Sequence, residues 1–104
     1  MAYDEALAER IRARVSGATE KKMFGGLAFL VNGNMAVAAS GQGGLLVRVD
    51  PDEGATLVET TSAQPMEMRG REMSGWLRVD VETDAELGEW VDRGVAYART
   101  LPPK

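Results

Sequence analysis

The sequence contains neither cysteine nor histidine. Without cysteine there is no disulfide framework, no thiolate metal site and no cysteine nucleophile. Without histidine, the usual general base near neutral pH and the commonest nitrogen ligand for zinc are missing. Ser-His-Asp and Cys-His enzymes and histidine-ligated zinc hydrolases are therefore excluded. Chemistry by carboxylate, lysine or arginine alone stays open. The side-chain metal ligands that remain are mainly scattered oxygens, so neither a cofactor nor a tightly held transition metal is expected. No run of about 18 apolar residues occurs, so no membrane span is expected. The N-terminus, Met1-Ala2-Tyr3-Asp4-Glu5, is acidic and lacks the apolar core of a secretion signal, which fits the cytoplasm. Positive charge is also sparse. The net charge is −4, and no basic run exceeds Lys21-Lys22. Nucleic-acid binding draws most of its affinity from lysine and arginine against phosphate, so direct binding to DNA or RNA is not expected.

What is present suits an ordinary globular domain. Hydrophobic residues make up 44% and charged residues 27% of the 104 positions, enough for one core spanning residues 1–104. Tyr3, Leu7, Ile11 and Val15 form an apolar stripe that predicts a helix over 4–15, stopped by Ser16-Gly17. A strand is expected over 22–31 and a second over 34–40, joined by a type I′ turn at Asn32-Gly33. Gly41-Gln42-Gly43-Gly44 reads as a turn, not a phosphate loop, because strand residues follow it and no lysine-serine pair does. A third strand covers 45–49. Asp50-Pro51-Asp52-Glu53 starts a short helix ending near Val58 or Glu59. A second hairpin pairs 66–69 with 75–81, connected by 70–74. Thr83-Asp84-Ala85-Glu86 is a capping box. The stripe Leu87, Trp90, Val91, Gly94, Val95, Ala98, Leu101 then predicts a last helix, ended by Pro102-Pro103. The fold class is α+β: an antiparallel sheet with flanking helices in the order α-β-β-β-α-β-β-α.

Lys21-Lys22-Met23-Phe24-Gly25-Gly26 is the most unusual stretch. It reads either as a strand start whose glycines permit a bulge, or as a small basic and aromatic contact site. The acids Glu82, Asp84, Glu86, Glu89 and Asp92 lie mostly off the last helix's stripe and read as a solvated face. Trp76 shares a strand face with Arg78 and Asp80, opposite Leu77, Val79 and Val81. Tryptophan beside arginine is an interface signature; the alternative is that Trp76 closes the core edge. The first two strands offer no polar face. Met23, Gly25, Leu27, Phe29 and Val31 alternate with Phe24, Gly26, Ala28 and Leu30, and Met35, Val37 and Ala39 alternate with Ala36 and Ala38. Both sides therefore need cover. A second copy of the chain is the simplest cover on the side the helices leave open, which leads to the expectation of a homodimer.

The chain resembles the TfoX/Sxy N-terminal domain family. The resemblance rests on residues 19–29, running through Lys-Lys-Met-Phe-Gly-Gly, and on the hairpin Asn32-Gly33-Asn34-Met35. It extends to Arg48-Val49, to Pro65-Met66 through Gly70-Arg71, Met73 and Gly75, and to Trp90, Tyr97-Ala98-Arg99 and Leu101-Pro102-Pro103-Lys104. It implies a fold like that of secretion-chaperone-like domains and a role near transcriptional regulation of natural competence. Better-known members carry a second, helical domain, and this chain is read as the N-terminal domain standing alone. The family offers no catalytic residues to carry over. The expected function is a non-enzymatic regulatory or protein-interaction domain with an unidentified protein partner. The alternative is a small-molecule-binding domain or an enzyme using carboxylates or lysine. An apolar pocket of roughly 300 Å³ with converging polar groups would favour the alternative. A flat exposed apolar patch would favour interaction.

Overall fold

Each helix begins where a side chain takes over amides that the helix itself leaves without partners. The computed structural model of the protein describes residues 4–15, 17–23, 25–41, 44–68 and 70–103, without the side chains of 67–68 and 71–74. Asp4 accepts from the Ala6 and Leu7 amides at 2.9 and 3.2 Å and starts α1 (Glu5–Arg14). Asp50 accepts from Asp52 and Glu53 at 2.9 and 3.4 Å and starts α2 (Pro51–Thr60), with Pro51 in the first turn. The Thr83 hydroxyl accepts from the Glu86 amide at 3.1 Å and starts α3 (Asp84–Thr100). The expected capping box is present in altered form: the hydroxyl also lies 3.3 Å from the Glu86 carboxylate.

Among the described residues six strands form one antiparallel sheet: β1 (Thr19–Met23), β2 (Gly26–Val31), β3 (Asn34–Ala39), β4 (Leu45–Arg48), β5 (Gln64–Met68) and β6 (Arg71–Val79). Their spatial order is β1-β2-β3-β4-β6-β5. The sequence expectation is corrected by one strand. The segment 22–31 is not a single strand, because Met23 pairs with Gly26 and the chain reverses between them, with Gly25 at φ +73°. The element order is therefore α-β-β-β-β-α-β-β-α. An apolar run gives no sign of a reversal inside it; the positive φ available to glycine makes the turn possible. The second hairpin also differs. β6 starts at Arg71, so most of the expected connection is strand, and the register slips between Pro65, opposite Leu77, and Met66, opposite Met73. The type I′ turn is as expected, with Asn32 and Gly33 at φ 54° and 81°.

All three helices contribute to one cluster on one side of the sheet. Leu7 and Ile11 of α1, Leu57 of α2, and Leu87, Trp90, Val91, Val95 and Ala98 of α3 meet Leu27, Phe29, Val37, Leu45, Val47, Leu77 and Val79. From Leu7 onward the periodic stripes of the two longer helix patterns thus mark the buried faces correctly; Tyr3 lies outside the described residues. β3 carries a bulge, since Phe29 pairs with Val37 but Leu30 with Met35, leaving Ala36 as the extra residue. Helix α3 sits on that bulge: a β-carbon at Gly94 would lie 2.5 Å from the Ala36 carbonyl oxygen.

Charge tethers α1 to its neighbours. Arg10 reaches Asp84 at 2.8 Å and Arg14 reaches Asp92 at 2.6 Å, both on α3. Arg12 makes two bonds to Glu20 on β1, at 2.6 and 2.7 Å. These pairs are solvent-accessible, so each contributes modestly. The hydrogen bonds from Arg12 and Arg14 hold the Glu20 and Asp92 carboxyls below their ordinary values.

Two tests follow from these features. Replacing Gly33 with valine puts a β-branched residue at positive φ and is expected to cost about 1–3 kcal/mol in chemical denaturation; a neutral result would contradict the turn. A lowered folded pKa gives stability that is present above the unfolded pKa and is lost as pH falls through the folded value. The two tethers are therefore expected to weaken only as the pH drops below the ordinary carboxylate range, about 4. In an NMR titration, Arg14→Gln should move the Asp92 midpoint upward, and an unmoved midpoint would refute the coupling.

Candidate interaction surface

Paired residues in an antiparallel sheet point to the same face, so the register defines rows running across the strands. One row reads Lys21, Ala28, Ala38, Leu46, Arg78, Gln64 and crosses all six strands. A neighbouring row joins Thr19, Leu30 and Met35 at one end and pairs Arg48 with Trp76 at the other. Ala28, Ala38 and Leu46 are only 1%, 5% and 5% exposed, and the half-buried Met23, Leu30, Met35, Met66 and Trp76 pack against them. Every residue of this second cluster comes from a strand, none from a helix. The face opposite the helices is thus apolar along its middle and, among the described residues, has no helix over it.

The residues singled out in the sequence are distributed unevenly. Lys21 pairs with Ala28 and lies on the open face, whereas Lys22 pairs with Leu27 and lies on the helix side. The tandem lysines therefore do not form one basic site, because adjacent strand residues point to opposite faces. Met23 was expected beside Leu27 and Phe29; the hairpin puts it across the sheet, in the open-face cluster. Met35 was expected beside Val37 and Ala39, and the bulge at Ala36 moves it across as well. Phe24 lies outside the described residues. Gly25 makes the reversal, and Gly26 is buried where a β-carbon would collide with the Ala39 carbonyl. Trp76 and Arg78 are half-buried on the open face, as their alternation with Leu77 and Val79 implies, but the middle of that face is apolar rather than polar. Lys21 and Arg78 stand at opposite flanks of one row. Sequence reasoning missed Arg48, Leu46 and Met66 as members of this face. Arg48 and Leu46 join it by register, and Met66 packs against the same cluster.

Other sites are poor in chemistry. Two depressions of about 320 and 260 Å³ border α1, one along Glu5, Ala8, Glu9 and Arg12, the other along Arg10, Arg14, Asp84 and Leu87. Both open to solvent, and the second is lined by side chains already engaged in ion pairs. Among the described residues no group of three carboxylates is placed to hold a metal.

The segments that carry the family resemblance meet in space. Asn34, 2% exposed, donates from Nδ2 to the Pro102 carbonyl at 2.9 Å, tying the first hairpin to the chain after α3. The Gly75 carbonyl accepts from the Val49 amide at 2.8 Å, tying β6 to the end of β4. A sheet with helices on one side and an apolar opposite face defines an α+β interaction domain. The chain belongs to the TfoX N-terminal domain family, whose model matches residues 10–98. Members of this family are regulatory and protein-interaction domains rather than enzymes, and this chain is one of them. No curated protein and no solved structure shows significant similarity to it.

The Asn34–Pro102 bond gives a direct test. Asn34→Ala is expected to cost about 0.5–1.5 kcal/mol, the net range for one intramolecular hydrogen bond, because water can satisfy the exposed Pro102 carbonyl. Deleting residues 101–104 should remove the same bond, so the combined change should cost clearly less than the sum. Full additivity in denaturation would show that the two segments are not coupled.

Proposed function

We propose that this regulatory domain receives a protein partner on the open face of its sheet. One observation carries the reading: Ala28, Ala38 and Leu46, with five half-buried apolar side chains packed on them, form a cluster built from strands alone. An antiparallel sheet that keeps one face in water ordinarily alternates apolar with polar residues. A contiguous apolar patch in its place marks a contact surface. Methionine, present here as Met23, Met35 and Met66, adapts its shape to a partner, and Trp76 supplies a large rigid anchor. The family resemblance further supports action in the cytoplasm, in transcriptional regulation near natural competence, and a likeness to secretion-chaperone domains.

Self-association through the same face is the second reading. It is supported by the two-sided apolar character of β2 and β3, and two-fold dimers are the commonest assembly. Light scattering over a dilution series reads it directly, and a constant monomer mass up to tens of micromolar would end it.

The docking reading is tested by capture from an extract of the protein's own cells. Met35→Asp and Met66→Asp are expected to lose a partner that the unaltered chain retains, with unchanged circular dichroism. Thr56→Asp, on the exposed side of α2, should retain it. Equal retention by all variants would overturn the assignment of the face.

A further inference from the structure

The molecule is polarised. Its three helices carry nine carboxylates against five arginines. Four of those arginines, Arg10, Arg12, Arg14 and Arg93, are held by carboxylates. The two rows of the open face carry the opposite sign. Lys21 stands at one flank, Arg48 and Arg78 toward the other, and no described position in either row is acidic. Neither Lys21 nor Arg48 has an ion-pair partner among the described residues. The nearest carboxylate along β6, Asp80, lies past the end of the strand beside Gly44, where Arg78 Nε also lies, so the cations left for a partner are Lys21 and Arg48.

We infer that the occupant of the open face is an acidic amphipathic helix of another protein, its apolar stripe on the methionine and tryptophan cluster and its carboxylates toward Lys21 and Arg48. This rests on the docking reading above and adds the chemistry of the partner. The dimensions agree. Lys21 and Arg48 are three strand spacings apart in the sheet order, about 14 Å at the usual spacing. A helix with its side chains is about 10–12 Å across, so one lying along the strands fits between the flanks with its carboxylates facing both.

Other occupants fit less well. A second copy stacked face to face brings Lys21 and Arg48 of both chains into one interface with no carboxylate from either row, and like charges in a desolvated contact are costly. A second copy offering its helix layer matches the charge, but a head-to-tail contact of that kind does not close and propagates into a chain of copies. Single-stranded nucleic acid is bound by successive aromatic rings over a positive groove. Here Trp76 is the one aromatic among the described residues of the face, and the chain as a whole is acidic.

Two synthetic peptides of about five helical turns test the inference. They share one leucine stripe and differ only in flanking residues, glutamate in one and lysine in the other. Binding is read by fluorescence anisotropy, and the single open-face tryptophan gives a second signal. The glutamate peptide is expected to bind at least about ten-fold more tightly and to weaken as salt rises. Lys21→Glu with Arg48→Glu should reverse the preference. If that variant fails to fold, Lys21→Gln with Arg48→Gln should abolish it. Equal binding of both peptides, or a preference that survives the charge changes, would overturn the inference. So would tighter binding of a single-stranded oligonucleotide, or a stable dimer that excludes both peptides. If neither peptide binds while Met35→Asp still abolishes capture of the native partner, the acidic assignment falls and the docking face stands. If Met35→Asp leaves capture intact, the docking face itself falls.

Discussion

Helix α3 lies against the middle of the sheet at Gly94, where the Ala36 carbonyl occupies the space that any β-carbon would need. Much of the architecture depends on this contact. Ala36 is the extra residue of the β3 bulge, and its side chain is fully buried in the helix-side core. A bulge breaks the alternation of the strand, so the residues before and after it fall on unexpected faces. Val37 stays in the core beneath α3, while Met35 turns to the open side. One backbone irregularity therefore seats the central helix and also adds an apolar side chain to the opposite surface.

The same one-sidedness organises the charges. Helices placed on a single face present their solvated sides outward together, and here those sides hold most of the acidic residues. Arginines of α1 are spent on α3 and β1, which binds the helix layer to itself. The open face keeps Lys21 and Arg48 beside an apolar centre. A chain with net charge −4 can thus hold two cations without carboxylate partners on one face, because net charge describes the whole molecule and recognition depends on a local field.

Signals confined to a few neighbouring residues were legible in advance. The caps at Asp50 and Thr83, the turn at Asn32-Gly33, the stripes of α1 and α3 and the alternation around Trp76 depend on short-range geometry, and the structure contains all of them. The family was legible too, because its motifs are themselves sequence. The errors share one cause. Reading 22–31 as one strand, placing Met23 and Met35 on the core side and shortening β6 all assumed unbroken alternation. A reversal at Gly25, a bulge at Ala36 and a register slip after Pro65 interrupt it.

The sequence by itself determined the class of domain, the exclusion of histidine and cysteine chemistry, the faces that α1 and α3 bury, and the apolar character of β2 and β3 on both sides. Those properties follow from residue types and from spacings within a few positions. Only the tertiary structure decided that the three helices share one side, that Lys21 and Lys22 part to opposite faces, and that Lys21, Leu46 and Arg78 stand in one row. The row joins residues 21, 28, 38, 46 and 78 through four successive strand pairings. Each pairing is a long-range choice of register, and a shift of one residue at any of them would send the next side chain to the other face.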